Sequence, residues 1–196
     1  MMKLYPSLEV APKREPVVVA LGFFDGLHIG HQRVIEEAKN IAREVSAKVC
    51  VITFYPHPRT VLMPSEHIYL LGNREEKIEL LQNLKVDFGV LLTPTVSFLQ
   101  MSPDSFLRLL DKNLELVGIV SGENFTFGRE ASGTVKNIKE YFKNRKISEE
   151  FFEKIKSIFK NSIGSYNYDA RTKVYAVFDY DETLLNIQIV QLYKDI

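Results

Sequence analysis

A single cysteine, no net charge and no long apolar run set the first limits on this chain. Cys50 stands alone, so an intrachain disulfide and a cysteine-rich zinc centre are both excluded. It lies inside the apolar stretch AKVCVITF and reads as a core residue. Lysine plus arginine equals aspartate plus glutamate at 25 each, which gives no support for the broad basic footprint of a nucleic-acid binder or a membrane-surface protein. A local basic site for a small anion stays open. No apolar run reaches the length of a membrane span, and the first residues lack the hydrophobic segment of a secretory signal. A cytoplasmic protein is the expectation. Internal repeats and low-complexity tracts are absent as well. What the chain does have is 45% hydrophobic residues over 196 positions, enough for a core in one domain, or one domain plus an appendage.

Periodicity divides the first three-quarters of the chain into alternating strands and helices. PVVVALG, AKVCVITF, VDFGVLL and ELVGIVSG are short continuous apolar runs of the kind that form buried strands. Between them, residues 32–45 place Val34, Ile35, Ala38, Ile41, Ala42 and Val45 at helical spacing. NREEKIELLQNL opens with the cap Asn73 and an acidic first turn. SPDSFLRLLDKNL opens with Ser102 as cap and Pro103 at its first position. TVKNIKEYFKNR closes the series, and residues 1–15 read as a lead-in strand or arm. The order β-α-β-α-β-α-β-α with near-continuous apolar strands predicts a doubly wound, Rossmann-like parallel sheet covered on both faces. Ligands in such sheets sit beyond the carboxyl ends of the strands. Residues 22–31, 54–59 and 122–133 each follow a strand directly, so three unusual loops are expected to share one rim.

The first of these loops is GFFDGLHIGH. Its glycines permit close backbone approach and positive φ. The helix behind it offers unpaired N–H groups and a partial positive charge to an anion. His28 and His31 add donors aimed at the same point, which makes a phosphate site without a P-loop lysine. A bare HxxH would read as two surface histidines on a turn, but the whole string resembles the GxFDGxHxGH signature of the nucleotidylyltransferase superfamily. TFYPHPRTVLMP, LLGNREEKIELL and GENFTFGREASGT, in that order, are similar to the FMN adenylyltransferase module of prokaryotic bifunctional riboflavin kinase/FAD synthetases. The likeness runs from about Val17 to about Tyr141.

That resemblance implies transfer of AMP from ATP to FMN, giving FAD and pyrophosphate. ATP and FMN would be the small-molecule partners, with magnesium accompanying ATP and no protein ligand assigned to it. His28 and His31 would be the catalytic pair, stabilising charge on the triphosphate. Gly22, Phe23, Phe24, Asp25 and Gly30 would line the ATP site. His57, Pro58, Arg59, Asn124, Phe125 and Phe127 would form the FMN site, although burial alone makes one of the two phenylalanines a core residue. Other nucleotidylyltransferase substrates, and a flavin- or nucleotide-binding module without turnover, are the alternatives.

Past RKIS the likeness stops. The family continues into a serine-rich ISSTxIR-like motif, whose second serine and arginine are not visible here. A boundary is therefore drawn at 146: residues 1–146 form the nucleotidylyltransferase domain, and 147–196 a divergent segment. Residues 149–160 read as an amphipathic helix. The tail VYAVFDYDETLLN places Asp179, Asp181 and Thr183 in a DxDxT pattern that resembles the opening motif of haloacid-dehalogenase-like phosphatases. It also reads as a β-hairpin, with KVYAVFDY and LLNIQIVQLY flanking the turn DET, or as a segment of different origin.

Overall fold

The computed structural model describes residues 2–13 and 15–144, together with the backbone of two further strands. A seven-stranded sheet organises them. At its centre is β2 (Pro16–Leu21), every residue of which is buried. It is flanked by β3 (Lys48–Phe54) and β5 (Glu115–Gly122), both parallel to it. Beyond β3 come β4 (Phe88–Leu92) and then β1 (Lys3–Tyr5), the lead-in arm, which runs parallel to β4. On the other side β6 (Lys173–Tyr180) pairs in parallel with β5, and β7 (Val190–Leu192) runs antiparallel to β6. From β2 the chain winds outward through β3 to β4 and then returns to β5 on the opposite side. The carboxyl ends of β2 and β5 thus frame a topological switch point, the crevice where open α/β sheets bind ligands.

The period-two alternation of strands decides which residues face which helices. Val17, Val19 and Leu21 join one core with Cys50, Ile52, Val90 and Ile119. That face is covered by α5 (Pro103–Asn113) and α6 (Val135–Asn144) through Phe106, Leu107, Leu110, Ile138 and Phe142. Val18 and Ala20 join the other core with Val49, Val51 and Val120. This second face is covered by α1 (Ile29–Glu44), through Val34, Ile35, Ala38, Ile41 and Ala42, and by α3 (Arg74–Gln82), through Leu81. Continuous apolar strands are what a sheet buried on both sides requires. No helix among the described residues is long and apolar enough to cross a membrane.

Local chemistry sets the helix ends. Asn73 makes a capping box with Glu76, and the Ser102 hydroxyl accepts the Ser105 N–H, so both expected caps are formed. The first helix begins at Ile29, three residues before the apolar periodicity does, because its opening turn is made of His28-Ile29-Gly30-His31 and carries no inward stripe. Two short helices lie where loops were expected: α2 (Pro58–Leu62) and α4 (Val96–Leu99). Each is started by a side-chain cap, His57 and Thr95 respectively.

In the tail, the helix expected over 149–160 lies outside the described residues. The two strands of the hairpin reading, within KVYAVFDY and LLNIQIVQLY, do pair antiparallel as β6 and β7, and the turn DET lies outside the described residues. β6 takes β5 as its parallel partner along residues 176–180, and β7 reaches only its first residues, pairing Tyr175 with Val190. Sheet extension therefore uses most of β6.

The loop after β5 turns at Gly128, whose φ of 73° and ψ of −176° fall in a region essentially confined to glycine. A Cβ there would also meet Met101 O and Pro103 N at 3.1 Å, both backbone atoms. Gly128→Ala is expected to lose about 1–3 kcal/mol of stability, measured by urea unfolding. An unchanged midpoint would show that this loop can relax around a side chain.

Candidate functional site

β2 delivers the chain into a strained turn. Gly22 donates its N–H to Ile52 O at 3.2 Å, as though the strand continued. The backbone then passes through φ of 52° at Phe24, 61° at Gly26 and 43° at Leu27. Two of these are side-chain-bearing residues in the left-handed region, which is unfavourable unless the surroundings hold it. Here they do. The Phe23 carbonyl accepts from Thr53 Oγ1 at 2.7 Å and also from Lys77 Nζ. Asp25 Oδ2 accepts the Leu71 N–H at 2.9 Å, and Gln32 Nε2 donates to Leu27 O at 2.9 Å.

The turn ends on the two histidines. His28 precedes α1 in an extended conformation, and no side chain caps that helix or places an acid in its first turn. The leading amides of α1 are therefore open toward an anion. The rings of His28 and His31 stack, with centroids 3.6 Å apart and planes at 26°. Gly30 makes this possible, since a Cβ there would lie 3.1 Å from Cε1 of His28. Phe24 supports the stack from beneath, edge-on to His31 at 5.4 Å. Burial, the His28 charge and the Lys77 charge together lower the His31 pKa from 6.5 to about 4, so the imidazole is neutral near pH 7. Its buried Nδ1 has no hydrogen-bond partner of acceptable geometry. The Asp25 backbone and carboxylate pull weakly toward protonation without reversing the shift.

The second loop joins the first through aromatic contact. His57 meets the Phe23 ring at 4.3 Å and 68°, while its Nδ1 accepts the Arg59 N–H at 3.1 Å and starts α2, where Pro58 is the first residue. Burial, followed by the charges of Lys77 and Arg59, lowers the His57 pKa. Lys77 Nζ lies 3.6 Å from the centroid of the same Phe23 ring, a cation–π distance. Arg59 is not drawn into this group; it is exposed and pairs with Glu66 at 2.7 Å.

The third loop is built differently. Asn124 is exposed and Phe125 half-buried. Phe125 stacks on Phe127 at 6.1 Å, and Phe127 packs against Phe106 at 5.2 Å. Among the described residues, no hydrogen bond or ring contact ties Asn124 or Phe125 to the histidines. Three residues expected to line the site are placed as follows. Phe24, 1% exposed, and Phe127, 7% exposed, are core side chains, and Gly22 spends its N–H on the sheet.

Lys77 is the group that sequence patterning does not single out. In NREEKIELL it reads as one charge on a solvated face. The available signal is spacing: Lys77 falls four residues before the buried Leu81, on the inward stripe of α3, and it is itself only 7% exposed. No group of three or more His, Cys, Asp or Glu side chains suited to a metal ion occurs among the described residues.

A doubly wound sheet, with an uncapped helix and an HxGH pair at its switch point, has the architecture of the nucleotidylyltransferases. The FAD synthetase family model matches residues 10–165, and the chain belongs to that family. It is 35% identical over 129 residues to a bifunctional riboflavin kinase/FMN adenylyltransferase of Listeria monocytogenes, covering 65% of this chain and 41% of that protein. The protein of the same name from Bacillus subtilis is 34% identical over 135 residues, covering 68% and 43%. A Listeria protein named FAD synthetase is 32% identical over 138 residues, covering 68% and 55%. The chain thus spans about two-fifths of the length of the bifunctional relatives it matches. Among solved structures, a Streptococcus pneumoniae chain titled macrolide-efflux protein superposes with a TM-score of 0.64 at 28% identity, covering 72% of this chain and 55% of that one.

The His31 shift sets a pH dependence of stability. Unfolded, His31 takes its proton near 6.5; folded, near 4. Between these values the unfolded chain binds more protons, so stability is lost as pH falls through that window. The lowered pKa of His57 acts in the same direction. Urea midpoints are expected to drop from pH 6.5 to 4, and His31→Gln should flatten the slope. Parallel slopes for both proteins would remove His31 from the acid response.

Proposed function

We propose that this chain transfers the adenylyl group of ATP to the phosphate of FMN, with residues 1–146 carrying the site. The observation that supports this most is the stacked His28–His31 pair over the uncapped start of α1, at the switch point of a chain in the FAD synthetase family. An FMN phosphate oxygen attacks the α-phosphorus in line, the bond to the bridging oxygen breaks, and pyrophosphate leaves with that electron pair. Such transfer depends on positioning and charge stabilisation more than on covalent help.

The N–H groups at the start of α1 hold the triphosphate, and Gly30 lets it come close. The imidazoles donate to the α-phosphate and the leaving group. His31 is neutral in the free protein, kept so by burial first and then by the fields of His28 and Lys77. A bound triphosphate reverses that field, raises the proton affinity of His31 and increases the positive charge at the site as substrate arrives. Magnesium accompanies ATP as part of the substrate, since the described side chains make no cage for it. His57, with Nδ1 engaged at α2, offers Nε2 to the flavin phosphate. Asn124 and Phe125 provide an amide and a ring face for the isoalloxazine. Arg59 would have to leave Glu66 to take part.

The test is incubation with ATP, magnesium and FMN, followed by chromatography. FAD and pyrophosphate are expected in equal amounts. Binding of both substrates without pyrophosphate release would leave a binding module, and turnover of another phosphomonoester would reassign the acceptor. His31→Ala should slow FAD formation by roughly 10²-fold or more with FMN affinity unchanged; full activity would remove it from the mechanism. Asn124→Ala should weaken FMN binding by about 1–3 kcal/mol and leave ATP binding alone, as read by calorimetric titration. Equal loss for both ligands would point to a folding defect.

A further inference from the structure

Lys77 has no part in the chemistry above, yet its position is unusual for a lysine. Its side chain is buried, and its ammonium makes one hydrogen bond among the described residues, to the Phe23 carbonyl. No carboxylate pairs with it within ion-pair distance among those residues. Taking an ammonium out of water costs several kcal/mol unless it is well paired. The Phe23 carbonyl already accepts from Thr53, so a second donor is not needed merely to satisfy it. An apolar side chain on α3 would fill the same space at lower cost. What the ammonium adds is a clamp on both ends of Phe23, the carbonyl and the ring face, directly before the left-handed turn that ends on His28.

We infer that Lys77 is a positioning residue: from α3 it fixes Phe23, and so sets the turn that aims His28 and His31 at the α-phosphate. This rests on the transfer reading above. The charged and titratable groups around it are Asp25 on the turn, His31 on α1 and His57 before α2. Asp25 favours the ammonium, while the ammonium disfavours protonation of both histidines. Burial lowers the Lys77 pKa to about 8. As pH rises through that value the amine becomes neutral. Its grip on the ring face is then lost, together with the field that keeps the two imidazoles uncharged.

The chain has four histidines, few enough to follow each imidazole by NMR. In Lys77→Met the His31 midpoint should rise above about 4, with burial still holding it below 6.5, and exposed His67 serving as the internal reference. For FAD formation, kcat should fall about 10- to 100-fold while KM for each substrate moves less than about threefold. Lys77→Arg keeps the charge and a donor, so it should retain most of kcat. It should also lack the decline of kcat/KM expected for the wild type as pH rises through about 8. If Lys77→Met does not unfold cooperatively, the arginine profile decides: an alkaline decline at the wild-type position overturns the assignment. So does a wild-type kcat in the methionine variant, an unmoved His31, or a raised KM at constant kcat, which would make Lys77 a substrate contact. The imidazole titrations need no turnover. A wild type that makes no FAD, with His31 still shifting in Lys77→Met, therefore overturns the transfer reading and leaves the coupling of Lys77 to the histidines intact.

Discussion

One carbonyl oxygen, that of Phe23, holds the site together. Thr53 grips it from the end of β3 and Lys77 grips it from α3. With Phe23 fixed, the chain enters a turn whose backbone angles side-chain-bearing residues avoid, and leaves it with His28 placed to stack on His31. Without the two donors, Phe24 and Leu27 would have little reason to stay left-handed. These ties span 30 and 54 positions of sequence, and the Asp25–Leu71 tie spans 46. All of them close large loops, so the turn takes shape only when β3 and α3 are already in place.

The same arrangement explains the electrostatics. A site for a triphosphate needs positive potential, but an array of permanent charges would repel itself in the empty protein. Here the load is divided. The start of α1 supplies partial charge from the backbone, the ammonium is buried, and two imidazoles are held neutral by that ammonium and by burial. Asp25 is the one acid acting on all three side chains. On the proposed transfer reading, positive charge then accumulates in response to an anion instead of preceding it.

Much of the fold was legible because buried parallel strands leave a strong trace: VVVA, CVIT and VGIV have little else to be. His28, Gly30 and His31 were legible through the resemblance of GFFDGLHIGH to a family signature, since an HxxH pair alone would read as two surface histidines. Lys77 was not, because its burial depends on α3 docking under the first turn, a tertiary fact that a run of charges conceals. Phe24 was assigned to the site by adjacency to the motif, whereas its left-handed backbone goes with a side chain in the core; of Phe125 and Phe127, Phe127 is the core residue that burial led one to expect. The four-residue α4 is too short for periodicity to register, and β6 shows that a strand read correctly from composition can take a second partner, β5, beside the expected one.

Gly30 carries a consequence for anyone improving this protein. It occupies the second position of a sixteen-residue helix with no need for positive φ, and a stability-minded redesign would replace it with alanine for up to about 1 kcal/mol. That added methyl group would press on the His28 ring from 3.1 Å away and part it from His31. The helix would gain and the stack would lose. At this residue helix propensity and the packing of the His28–His31 stack are opposed by a single carbon atom.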